Sequence, residues 1–140
     1  MAGIIGIGID IVAIEKMAVF WGKHSERARE LIFTPAEWQD ALALVPGSTE
    51  PLDNPSIQQV SYLAERFAGK EAMIKVLGID SPLRYEMNGI EVLGRTHLSI
   101  ELRGPLAGCA HARGIQRIHG SCSSSHQHAL ACVIGEGRNE

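Results

Sequence analysis

Residues 3–12, GIIGIGIDIV, alternate with a period of two. Ile5, Ile7, Ile9 and Ile11 fall on one side, and Gly6, Gly8, Asp10 and Val12 on the other. That period predicts a β-strand with one bulky face and one bare face. Glycine weakens a strand, so two on one face imply close approach of another backbone or of a ligand. Asp10 leaves the strand from that uncrowded face. A second reading makes it a strand-end cap for the helix that follows. Over 12–23 the period becomes helical, with Ile14, Met17, Ala18 and Trp21 on one side and Glu15, Lys16 and Lys23 off it. A second short helix is expected over 25–32. TPAEW then reads as a helix start: Thr34 as N-cap, Pro35 at N1 and Glu37 in a capping box, the helix running to about Leu44. Residues 45–57, VPGSTEPLDNPSI, read as an exposed, mobile loop.

A long helix is expected over 57–77, closed by Gly78. If Phe67 marks the centre of its apolar stripe, Val60, Leu63, Ala64 and Ile74 share that side, and so does Glu71. Burying a carboxylate is costly, so a base, a donor network or a metal should face Glu71. The plainer alternative is an i,i+4 ion pair with Lys75. Residues 79–89 are irregular. GIEVL (89–93) and LSIELRG (98–104) read as strands about a GRTH turn (94–97), and GPLAGCAHARG (104–114) as a short helix. IQRIHGSCSSS and ALACVIG read as a hairpin joined by HQH. Helices mixed with antiparallel strands make the class α+β.

The length of 140 residues suits one domain, 1–140. With 45% hydrophobic and 21% charged residues, the chain falls in the ordinary soluble class. No apolar run reaches the length of a membrane span. The N-terminus is apolar but has no basic leader and carries Asp10, so it reads as a strand and not a signal peptide. A net charge of −3 provides no overall basic field for nucleic acid. Three cysteines, Cys109, Cys122 and Cys132, are an odd count with no export signal, which points to a reducing, cytoplasmic setting.

Asp10 and Glu71 are two oxygen donors, which with water and phosphate oxygens suit Mg²⁺. Cys122, His126 and His128 suggest a transition-metal site, but no second ligand pair has standard spacing. The serines of 121–125 precede His126 without a nucleophile-elbow pattern, and such serines more often serve turns or bind an anion. GIGID lacks the spacing of a phosphate-binding loop.

GIGIDIVAIEKM, FTPAEW, RFAGKEAMIKVLG, GIEVL and SSSHQHALACVI, in that order, resemble the holo-[acyl-carrier-protein] synthase family, the small single-domain 4′-phosphopantetheinyl transferases. The resemblance covers nearly the whole chain. It implies an antiparallel sheet packed with a long central helix and shorter helices. It also implies transfer of the phosphopantetheine arm of coenzyme A to a serine of an apo acyl carrier protein, releasing adenosine 3′,5′-bisphosphate. The carrier's pathway, whether for fatty acids, polyketides or peptides, is left open. Carried onto this chain, Asp10 and Glu71 hold Mg²⁺, and Lys75 acts on the phosphate or in proton handling. Arg66 takes a coenzyme A phosphate, and Ser125 and His126 line the coenzyme A cleft. The family usually forms homotrimers with clefts between subunits. Its carrier protein is typically acidic, and Lys16, Lys23, Arg27 and Arg29 are the candidate basic surface, although Glu15, Glu26 and Glu30 are interleaved with them. Two features depart from the pattern: the GRTH turn keeps Gly94 and Arg95 without the family's proline, and the 45–57 loop is longer. The alternative is a relative that binds a carrier protein or nucleotide without transfer; Asp10, Glu71 and Lys75 favour transfer.

Overall fold

The structure, a computed structural model, describes residues 2–24, 26–50, 52–79 and 87–138. The chain runs β1 (Gly3–Ala13), α1 (Ile14–Lys23), α2 (Glu26–Glu30), α3 (Pro35–Ala43), α4 (Ile57–Leu77), a 3-10 turn (Met87–Gly89), β2 (Ile90–Leu93), β3 (His97–Leu102), α5 (Pro105–Ala112), β4 (Ile115–Ser124) and β5 (His128–Gly137). The strands form one antiparallel sheet in the order β1-β5-β4-β3-β2. The α+β expectation holds. Within the irregular stretch expected over 79–89, residues 80–86 lie outside the described residues.

Helix α4 crosses one face of the sheet and divides the core. Its C-terminal half packs with Ile90, Val92, Leu106, Ala131 and Val133, and its N-terminal half with Ile14, Trp21 and Phe33. Both predicted helix ends of the TPAEW and 57–77 segments are present. Thr34 and Glu37 exchange backbone N–H bonds at 3.3 and 2.9 Å, and Gly78 closes α4 with φ 66°. Ser56 and Gln59 add a second capping box at the start of α4.

Three expectations change. Strand β1 extends through Ala13, because Val12 and Ala13 pair with Ala129 and His128, so Asp10 does not cap α1. The 45–57 loop is largely exposed as expected but anchored at its centre: Leu52 is buried, and its carbonyl accepts from Trp21 Nε1 at 2.6 Å and Arg29 Nη1 at 3.3 Å. The stripe of α4 is not centred on Phe67. Sheet and helices surround α4, so Arg66 and Lys70 are fully buried, while Phe67, Glu71 and Lys75 line an edge that stays partly open.

The bare face of β1 has a structural cause. A Cβ on Gly8 would stand 1.9 Å from the carbonyl oxygen of Ala72, and one on Gly6 would stand 2.9 Å from that of Val76. Two strand residues rise about 6.6 Å and four helix residues about 6 Å, so strand and helix stay in step. The next step along β1 is Asp10, level with the helix turn that carries Glu71. The opposite, bulky face is uncovered: Ile7, Ile9 and Ile11 are 56%, 55% and 61% exposed, and Leu130 continues the patch on β5.

Candidate active site

Asp10, Glu71 and Lys75 meet in one cleft beside the β1–α4 seam. Lys75 Nζ donates to the Ile9 carbonyl at 2.7 Å and lies 3.4 Å from Asp10 Oδ1. Lys75 thus pairs with Asp10 rather than with Glu71, its alternative partner at i,i+4. Asp10 and Glu71 line a cavity of about 570 Å³ whose wall includes Met17, Phe20, Ile32 and Phe67, with Lys16 and His128 also lining it. His128 enters through strand register, opposite Ala13, a placement that no local sequence signal carried.

Burial raises the Glu71 carboxyl above its usual 4.5, the negative charge of Asp10 adds to the rise, and Lys75 opposes it. Two carboxylates that repel each other at the mouth of a cleft are a donor set suited to a hard divalent cation, which relieves that repulsion. Because Glu71 binds its proton more tightly in the folded state, its ionised form costs stability at neutral pH. Glu71→Gln should therefore raise Tm in chelator-treated protein at about pH 7, with the gain disappearing as pH falls below the usual carboxylate value. Melting curves between about pH 4 and 8 check this.

The other expected residues lie elsewhere. Ser125 and His126 line a second groove of about 430 Å³ with Arg95, Ser61 and Glu65. Ser125 Oγ accepts from the backbone N–H groups of Gln127 and His128, both at 3.3 Å, so it also shapes the β4–β5 turn. Arg66 reaches neither cavity. It is 0% exposed, donates to the carbonyls of Val92 (3.1 Å) and Gly94 (2.7 Å), and stacks over Tyr62 at 4.4 Å. These bonds support the Gly94–Arg95 turn from inside the core. Arg29 is buried too, donating to the Trp21 carbonyl at 2.8 Å, which removes it from the candidate basic surface.

Cys122 faces the interior while His126 and His128 are exposed. Among the described residues, no group of three or more His, Cys, Asp or Glu side chains is placed to hold a metal. Cys122 pairs with Ala131 and Cys132 with Ser121, so the two thiols project to opposite faces and form no disulfide.

The family model described as the 4′-phosphopantetheinyl transferase superfamily matches residues 6–133. The chain belongs to that superfamily. It is 34% identical over 138 residues to the holo-[acyl-carrier-protein] synthase of Edwardsiella ictaluri, covering 96% of this chain and 98% of the relative. It is 35% identical over 138 residues to that of Alteromonas mediterranea, covering 95% and 97%. Two solved structures share the fold at 25% identity. The acyl carrier protein synthase of Plasmodium yoelii, with ADP bound, superposes with a TM-score of 0.78 over 99% of each chain. The holo-(acyl-carrier-protein) synthase of Bacillus anthracis, in complex with CoA (3′,5′-ADP), superposes with a TM-score of 0.67 over 96% of this chain and 98% of that one. Membership makes the chain a transferase that moves 4′-phosphopantetheine from coenzyme A to an apo acyl carrier protein. No helix among the described residues is long and apolar enough to cross a membrane.

Proposed function

We propose that residues 1–140 form one Mg²⁺-dependent phosphopantetheinyl transferase domain, working in the cytoplasm, with Asp10 and Glu71 as the protein's metal ligands. The observation that carries this is the placement of the two carboxylates side by side, with Lys75 on Asp10. When bound, the ion supplies charge neutralisation on the pyrophosphate. The residues of the chain do the rest. Asp10 is held by Lys75, whose half-exposed ammonium meets the negative charge that grows on the leaving adenosine 3′,5′-bisphosphate. The bond from the serine Oγ to the phosphorus forms as the bridging P–O bond breaks, and the serine proton passes to a carboxylate oxygen of Glu71.

Ser125, His126 and Arg95 supply the coenzyme A groove. They lie apart from Asp10 in one chain, so the site is completed by a second copy. The uncovered isoleucine face of β1 is the surface on which copies would pack, in a homotrimer. Lys16, which lines the cleft, and Lys23 and Arg27 on α1 and α2 are exposed and suit an acidic carrier-protein helix, with Val19 47% and Leu31 38% exposed on the same segment of chain.

Intact-mass spectrometry of an apo acyl carrier protein after incubation with coenzyme A tests the reading. The expected result is a gain of one phosphopantetheine only when Mg²⁺ is present. Gain without metal would remove the ion, and no gain across several carrier proteins would favour binding without transfer. Sedimentation of the same sample should give the mass of three chains; a single-chain mass would overturn the assembly.

A further inference from the structure

The most deeply buried ion pair lies outside the cleft. Lys70 and Glu37 are both 0% exposed, with Nζ 2.8 Å from Oε1. Lys70 also donates to the carbonyls of Ile90 and of Met87, the latter at 3.3 Å. Its acceptors therefore lie on α3, on β2 and in the 3-10 turn, and none of them is on α4. Glu37 is equally engaged: Oε1 accepts from the Thr34 N–H at 2.9 Å and Oε2 from the Val92 N–H at 2.7 Å. Lys70 directly precedes Glu71, and Ala72 directly follows it, with its carbonyl against Gly8. Helix α4 is thus gripped on both sides of Glu71, by an ion pair at one neighbour and by bare backbone contact at the other.

A buried ion pair is a poor source of stability, because apolar residues of similar volume often do as well or better. What this pair does supply is rotational register for α4, since an ammonium with acceptors on three elements admits few orientations. A carboxylate about 6 Å from a helix axis moves about 2 Å for a 20° rotation. Mg²⁺ asks for oxygens near about 2.0–2.1 Å in near-ideal octahedral geometry.

We propose that Glu37 and Lys70 form a positioning pair that fixes the rotation of α4 and so aims Glu71 at Asp10 for shared cation binding. This rests on the metal reading above. The test titrates Mn²⁺, as a spin-active substitute for Mg²⁺, into the full chain with coenzyme A and no carrier protein. Unbound Mn²⁺ is read by electron paramagnetic resonance, and Tm is measured in parallel. In the double variant Glu37→Gln/Lys70→Met, the Mn²⁺ Kd should rise by about tenfold or more in a chain that still folds, with Tm moderately lowered because one Gln oxygen cannot accept from both the Thr34 and the Val92 N–H. Leu106→Ala, a core truncation in α5, should lower Tm and leave the Kd unchanged. If the double variant does not fold, Lys70→Arg takes its place, with the same direction of change expected. A wild-type Kd in a folded pair variant would overturn the positioning role. A wild-type chain that binds no Mn²⁺ would instead overturn the metal reading, and the positioning role with it.

Discussion

Glu71→Ala keeps the native fold and loses transfer by roughly a thousandfold or more, about 4 kcal/mol of transition-state stabilisation. Beside Asp10 and Lys75, Glu71 supplies the second carboxylate of the cleft. Without it, the Asp10 carboxylate and the Lys75 ammonium, 3.4 Å apart, cancel each other. One of the two carboxylate ligands is then gone, and a cation on the pyrophosphate is no longer tied to α4. The fold tolerates the change because Glu71 sits at the open edge of α4, and its raised pKa shows that its ionised form is already disfavoured there. The rate of mass gain on the carrier protein at saturating Mg²⁺ measures the loss, and Tm reports the fold. Activity above about a tenth of wild type would remove Glu71 from the metal site.

Lys70→Met acts on stability instead. It leaves the Glu37 carboxylate fully buried, still accepting from Thr34 and Val92 but with no cation beside it. Breaking a buried pair from one side costs about 3–5 kcal/mol, against a total of about 5–15 for a domain. For a chain of this size, Tm should fall by roughly 10–15 °C. Burial already pushes the Glu37 carboxyl up, and Lys70 is the main group opposing it. With Lys70 gone, the folded state binds that proton more tightly still. The deficit should therefore shrink as pH is lowered from about 7 toward the usual carboxylate range, where Glu37 enters the core neutral. Adding Glu37→Gln should restore part of the lost Tm at neutral pH, since it removes the buried charge but keeps one acceptor oxygen for two N–H donors. A Lys70→Met chain that melts like wild type at pH 7 would show that the pair is not ionised in the core.

The order of elements was legible in the sequence wherever a local rule governs it. The isoleucine–glycine alternation marked β1, the TPAEW capping box marked the start of α3, and Gly78 marked the end of α4. The two glycines also announced a close backbone contact, and Asp10 as the residue that leaves beside it. The orientation of α4 was not legible. An amphipathic reading assumes one wet face, whereas this helix is enclosed by sheet and helices, so the buried basic residues Arg66 and Lys70 could not be told from exposed ones by spacing. That Arg66 donates to the backbone of the Gly94 turn was likewise not legible, because an arginine in a motif carries the same letters whatever its partner.

The sequence by itself determined the elements and the family and singled out Asp10 and Glu71 as candidate ligands, because those depend on residue type and near-neighbour spacing. Tertiary structure decided which residues share a site. It gave Lys75 to Asp10, assigned Arg66 to the Gly94 turn, set Ser125 and His126 in a separate groove and sealed Lys70 against Glu37. Each of those pairings joins elements far apart in the chain, and it follows from how α4 settles against β1 and β2, a packing that no local pattern encodes.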